Sequence, residues 1–165
     1  MGKAQKGPRQ PAGGSVNRLA LKIGAGAATM AIGLVIAFEG RVLTVQPDPI
    51  GRLAVCYGHD DQTMTLGQKF TPEQCKALLD QDLLKHAEAL QCVQAVMTDG
   101  QKAAFLSFAY NVGNQAFCRS SLVRYANVGD MRRACAELSR WTLANGRELP
   151  GLVKRRAAER KVCES

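Results

Sequence analysis

Two acidic residues, Glu39 and Asp48, are separated by eight positions and differ in their surroundings. Glu39 ends an apolar run, Val35-Ile36-Ala37-Phe38, so its carboxyl group is expected beside apolar surface, where burial disfavours the anion. Asp48 lies in the polar turn Pro47-Asp48-Pro49-Ile50-Gly51 and is expected to stay ionised. A carboxyl group that keeps its proton suits a general acid, and one that has lost it suits a base that activates water. Two carboxyl groups in unlike environments are what cleavage of a glycosidic bond requires. Spacing alone does not select this pair, because fourteen acids in the chain make many pairs. A Glu at an interface and a turn-forming Asp remain the plain alternative.

Other chemistry has less support. His59 and His86 are the only histidines and lie far apart, which argues against a zinc pair. His59 is expected to support the strand around it, and His86 a helix face. None of the six cysteines stands in a C-x-x-C pair, so a zinc ribbon or a thioredoxin-like redox site has no motif. Six cysteines point to an oxidising compartment, and Cys56 reads as half of a structural bridge rather than a nucleophile.

The elements that must position these residues can be read in order. With 165 residues, 46% apolar and 22% charged, the chain is ordinary globular material for one domain. That excludes a mostly disordered chain, a collagen-like repeat and a polytopic membrane protein. The formal charge of +8 favours an anionic partner without choosing among nucleic acid, acidic lipid and wall polymer. No nucleic-acid recognition motif is visible, so none is expected as partner. Residues 1–22 carry five cations and no acid, with Pro8, Pro11, Gly13 and Gly14 opposing a local fold. Ile23 to Phe38 then runs sixteen residues without a charge. A basic stretch before an apolar run is the layout of an export signal. Leu19 to Phe38 as a helix would be roughly 30 Å long, just enough to span a bilayer. Half of residues 23–38 are Gly or Ala, so the segment would be held weakly. Ala25-Gly26-Ala27 comes too early for a cleavage site. A weak, uncleaved anchor fits best, against a cleaved signal or an Ala/Gly-rich first helix of a cytosolic domain.

Short strands are expected over residues 41–66, with Leu53, Val55 and Tyr57 alternating. Thr71, Pro72 and Gln74 open a helix with a capping box, and its apolar stripe runs from Cys75 through Leu79 and Leu83 to Leu90. Asp99 is expected to cap a helix that ends near Gly113. Helices over Ser120 to Asn127, Asp130 to Leu143 and Leu149 to Cys163 complete an α+β fold, a small β-rich lobe and a larger helical lobe with a cleft between them. Trp141 is expected in the core. Arg147, Lys154, Arg155, Arg156, Arg160 and Lys161 read as a solvated basic helix face, or as attraction to anionic wall polymer.

Phe38-Glu39-Gly40, Asp48-Pro49-Ile50-Gly51 and Cys56-Tyr57-Gly58-His59 resemble the active-site segment of phage-type lysozymes, glycoside hydrolase family 24. Residues 71–79, Gln101 to Gly113, Phe117-Cys118-Arg119-Ser120, Arg140-Trp141 and Gly151 to Arg160 continue the likeness in order. The basic, Gly/Ala-rich N-terminus resembles that of signal-anchor-release endolysins of tailed phages. The resemblance implies a basic N-terminus over 1–18, an anchor helix over 19–38 and a lysozyme-like catalytic domain over 39–165. It implies an inverting muramidase, with Glu39 protonating the leaving oxygen and Asp48 activating water. The bond would be the β-1,4 link between N-acetylmuramic acid and N-acetylglucosamine in peptidoglycan, cut during host lysis. Tyr110, Asn111 and Ser121 would contact the glycan; for Tyr110 and Asn111, interlobe packing is an equal alternative. No metal or organic cofactor is implied. The protein would sit in the host inner membrane, then act in the periplasm as a released monomer. Cys56, Cys75, Cys135 and Cys163 stand where members of that family often have cysteine, and Cys92 and Cys118 flank the middle helix, so of fifteen possible pairings Cys56–Cys75, Cys92–Cys118 and Cys135–Cys163 are expected. No cysteine lies in the anchor, so a disulfide switch from it is excluded. One departure stands out: the family pattern has Thr where this chain has Ala54, and an aromatic where it has Gln46. Either another group, Gln46 or Thr44, holds the attacking water, or the chain is a weak or dead enzyme that binds wall or membrane.

Overall fold

The computed structural model describes residues 15–48 and 50–165. The basic stretch up to residue 14 and Pro49 lie outside the described residues. The N-terminal segment forms two helices, α1 (Ser15–Ile23) and α2 (Ala25–Glu39). The expected 19–38 helix is divided at Gly24, whose φ of 99° is a conformation that only glycine adopts easily. Among the described residues no helix is long and apolar enough to cross a membrane.

Helix α2 buries Ala27, Ala28, Ala31, Leu34 and Val35, a stripe at helical spacing. It packs on α4 (Asp99–Val112), the central helix, nearly every residue of which from Ala103 to Ala109 is buried. The small residues let the two backbones come close. At Gly26 any Cβ would collide with the Asp99 carboxylate, and at Gly24 it would stand 3.3 Å from Asp99 Oδ1. That carboxylate therefore lies over the first turn of α2, where the helix dipole favours negative charge. Lys102 Nζ donates to the Ile23 carbonyl at 3.2 Å, and Lys22 pairs with Glu88. Asp99 is not the cap of α4: Thr98 is, accepting from the Gln101 N–H at 3.2 Å in a capping box. Its hydroxyl precedes the helix by one residue and so frees Asp99 to face α2.

The β lobe is built on β1 (Val42–Pro47), which pairs antiparallel with β2 (Leu53–Cys56). Residues 67–70 return along the other edge of β1, with Val45 N–H donating to the Gln68 carbonyl and Phe70 N–H to the Leu43 carbonyl, both at 2.8 Å. Helix α3 (Pro72–His86) starts at the expected Thr71–Gln74 capping box and leads through a 3-10 turn, Ala87–Cys92, into the helical lobe. Short helices α5 (Asn114–Cys118), α6 (Ser121–Asn127) and α7 (Met131–Glu137) follow. The helix expected over Asp130 to Leu143 stops early. A 3-10 turn at Leu138–Arg140 and a small hairpin, β3 (Leu143–Ala144) with β4 (Arg147–Glu148), replace its end. Asn145 and Gly146, both at positive φ, make the hairpin turn. Helix α8 (Pro150–Cys163) closes the fold against α4. Trp141 meets Phe108 edge-on with ring centroids 5.0 Å apart, at the margin of the core.

The three disulfides are Cys56–Cys75, Cys92–Cys118 and Cys135–Cys163, the expected pairing. The first ties β2 to α3, the second the 3-10 turn to α5, and the third α7 to α8. Each closes a loop of 19, 26 or 28 residues, which restricts the unfolded chain.

Candidate active site

Glu39 is the last residue of α2, and Gly40 then turns the chain into β1 with φ 67°. The acid therefore stands where the helical lobe meets the β lobe. Its Oε1 accepts a hydrogen bond from Arg155 Nη1 of α8 at 2.5 Å. Its Oε2 faces Gly58, where a Cβ would come within 3.6 Å. The tight turn Cys56-Tyr57-Gly58 brings that backbone in: Val55 and His59 exchange both backbone hydrogen bonds, at 3.0 and 2.9 Å. Gly58 has φ 84°, which a larger residue resists. The surroundings of Glu39 thus differ from the sequence expectation. Phe38 does lie beside it, but the carboxyl group itself meets a buried guanidinium rather than apolar surface alone.

Arg155 and Arg156 correct the expectation of a solvated basic face. They are 3% and 1% exposed, and Glu159, which pairs with both, is fully buried. Burial raises the pKa of Glu159, against the two guanidiniums and the Ser107 hydroxyl. Burial also pulls Arg156 down to about 10, and Glu159 partly opposes this. Arg156 Nη2 donates to Asn111 Oδ1 at 2.5 Å. Sequence reading missed these residues because Lys and Arg in a helix are usually solvated. The signal was their spacing: Glu159 lies three and four residues after the two arginines, so all three share one helix face.

Asp48 follows β1. Its Oδ1 accepts the N–H groups of Ile50 and Arg52 at 2.9 and 2.8 Å, and its own N–H donates to the Arg52 carbonyl at 2.7 Å. The carboxylate thereby organises the turn that carries it. The two acids bracket β1, one at each end. Across the ladder Gln46 is the direct partner of Ala54, whereas Thr44 pairs with Lys69 on the other edge. The two departures from the family pattern are therefore cross-strand neighbours.

The remaining predicted residues are placed as follows. Tyr110 donates its hydroxyl to the Tyr57 carbonyl at 2.8 Å, which ties α4 to the β lobe, and burial raises its pKa. Asn111 follows it and is held by Arg156. Ser121 opens α6 and gives its hydroxyl to Glu137, away from the Glu39 network. His86 packs on Tyr110 and bonds Asn114 Oδ1 at 2.7 Å.

His59 Nδ1 bonds Asp82 Oδ2 at 2.7 Å, which pins the turn beside Glu39 onto α3. That hydrogen bond raises the His59 pKa above 6.5, against burial, which lowers it. A raised folded value means stability that is full below the unfolded pKa and lost as pH rises through the folded one. The gap in Tm between the native chain and His59→Asn is expected to be widest near pH 5 and to narrow on the alkaline side. A gap that grows with pH would show that the pair does not act through the charged imidazole.

Comparison with known proteins identifies the family and the fold. The family model described as Phage lysozyme matches residues 36–159. The SAR-endolysin of bacteriophage PS119 is 40% identical over 126 residues, covering 76% of this chain and 75% of its own length. The SAR-endolysin of enterobacteria phage P21 is 36% identical over 152 residues, covering 88% and 92%. Among solved structures, the muramidase domain of SpmX from Asticaccaulis excentricus superposes with a TM-score of 0.76 at 33% identity, covering 82% of this chain and 95% of that one. The active form of the P1 phage endolysin Lyz shares the fold with a TM-score of 0.74 at 23% identity, over 90% and 92%. With its two acids bracketing the first strand of a lysozyme fold, the chain belongs to the phage lysozyme family.

Proposed function

We propose that this chain is a signal-anchor-release endolysin: an inverting muramidase that cuts the β-1,4 bond between N-acetylmuramic acid and N-acetylglucosamine. Its family makes it a lysozyme-type hydrolase of peptidoglycan. The observation that carries the finer reading is the setting of Glu39, at the lobe junction between Arg155 and Gly58. In this reading protonated Glu39 gives its proton to the leaving glycosidic oxygen, and Asp48 activates water on the opposite sugar face. Tyr110, Asn111 and Ser121 contact the glycan; Ser121 does so by exchanging its Glu137 partner. The test is digestion of sacculi by the full chain, followed by reducing-end assay and NMR of the first-formed anomer. New reducing ends with inverted configuration are expected. Retained configuration would overturn the mechanism, and no reducing ends at all would favour a wall-binding protein.

Water placement is the weak point of the family pattern here, and Gln46 fills it. Directly opposite residues on one face of a ladder lie about 5 Å apart at Cβ, so the Gln46 amide reaches over the small Ala54 side chain. Gln46→Ala is expected to lower turnover about tenfold, the worth of one hydrogen bond. Adding Ala54→Thr to that variant is expected to restore most of it. A Gln46→Ala chain with native turnover would return the question to the dead-enzyme reading, whose argument is Ala54.

Helix α2 supports the anchor. No charge stands between Gly24 and Phe38, yet Gly33, Ile36 and Ala37 are exposed. A soluble helix normally places charge on such a face, and one that is apolar all round belongs in a core or a membrane. The same segment would span the inner membrane first and dock on α4 after release into the periplasm, with Gly24 bending only in the docked form. Docking also sets Glu39, one residue past the segment's end, beside Arg155. Fractionation of spheroplasts with and without an uncoupler tests this. The chain is expected to leave the membrane fraction on depolarisation, and retention there would defeat the release step.

A further inference from the structure

Glu159 is a fully buried carboxylate that no part of the proposed reaction uses. Its Oε1 accepts from Ser107 Oγ at 2.7 Å and from Arg155 Nε at 3.1 Å. Its Oε2 lies 3.0 Å from Arg156 Nη1, close for an ion pair although not aligned for a hydrogen bond. Each of these neighbours offers a hydrogen, which suits the ionised form of the acid. Burial makes such an ion costly, and an apolar residue would pack the site more simply.

Its geometric effect falls on Arg155. Nε is taken by Glu159, and Nη2 by the Ser107 carbonyl at 3.2 Å. With two corners of the planar guanidinium pinned, Nη1 points at Glu39. Its electrostatic effect falls on Glu39 itself. The charged and titratable groups around it are Arg155, Arg156 and Glu159 of α8, Tyr110 of α4, whose hydroxyl stays neutral, and, beyond the Gly58 turn, His59 with its partner Asp82 of α3. Without Glu159, Glu39 would face two guanidiniums with no carboxylate of α8 to offset them. It would be held as the anion, which cannot protonate a leaving oxygen.

We infer that Glu159 is a positioning and charge-balancing residue for the acid: it orients Arg155 toward Glu39 and cancels one of the two arginine charges, so that Glu39 can hold its proton. This rests on the reading of Glu39 as general acid. The test is the pH profile of kcat/KM on permeabilised cells for three variants. Glu159→Gln is expected to move the alkaline limb down by about one pH unit. Arg156→Gln, which removes a cation instead, is expected to move it up. Glu159→Gln/Arg156→Gln restores the charge sum and is expected to return the limb to the native position. A residue that only supports the fold would lower activity evenly across pH, and that result overturns the inference. A carbon-13 carboxyl titration of the native chain needs no variant and serves if these variants fail to fold. Glu159 ionised while Glu39 titrates supports the inference, and Glu159 protonated through that range overturns it. If native chain and Glu39→Gln digest sacculi equally, the reading of Glu39 fails, a result separate from either of these.

Discussion

Glu39→Gln is expected to lower kcat on peptidoglycan by about 10²–10⁴-fold, the usual worth of a positioned general acid. The amide keeps the shape of the side chain, and its oxygen can still accept from Arg155 Nη1. What it loses is the transferable proton. The Tm is therefore expected to stay near that of the native chain, and binding to sacculi to persist. The comparison is made by turbidity on permeabilised cells, with cosedimentation as the binding control. Asp48→Asn gives a second arm. The Asn carbonyl oxygen can still accept the Ile50 and Arg52 N–H groups that shape the turn, so the fold is retained while the base is lost. Near-native turnover in either variant would remove that acid from the reaction.

The sequence told most about the parts whose logic is local. The Thr71–Gln74 capping box and the glycine stop at Gly113 are each decided within a few residues and stand in the structure, whereas the strand expected from the alternation at Leu53, Val55 and Tyr57 forms only over Leu53–Cys56 and leaves Tyr57 in the turn after it. The candidate acids Glu39 and Asp48 could be picked out as a pair because they sit on flanking segments of one strand. The elements that went unread depend on distant partners. Arg155 and Arg156 look solvated until Glu39, Ser107 and Asn111, from 45 to 116 residues away, are seen to receive them. The bend at Gly24 lies against Asp99 of α4, a neighbour that no local pattern in α1 or α2 reveals. Asp99 looked like a cap for the same reason, since its tertiary partner was invisible beside an acceptable local role. The hairpin after Arg140 is the exception. Asn145-Gly146 is a local turn signal just past the end of the helix expected over Asp130 to Leu143, and the hairpin that it closes takes the last residue of that helix.

Arg155→Met has the largest expected effect on the folded state. Arg155 is 3% exposed, and its removal leaves Glu159, with no exposure at all, short of one of its two cations and one hydrogen bond. Breaking a buried pair from one side costs about 3–5 kcal/mol. For a chain of this size each kcal/mol lowers Tm by about 2–4 °C, so a fall of about 10 °C is expected by calorimetry. The triple variant Arg155→Met/Arg156→Met/Glu159→Leu replaces the whole buried triad with apolar side chains of similar volume and is expected to regain most of that stability. Its activity is not expected to return, because Glu39 has then lost the donor that fixes it at the lobe junction. Stability and turnover thus part company in the triple variant, which separates what the buried triad does for the core from what Arg155 does for the acid. Activity recovering together with Tm would mean that Arg155 serves the fold alone, and that Glu39 is held in place by α2 and Gly58 without it.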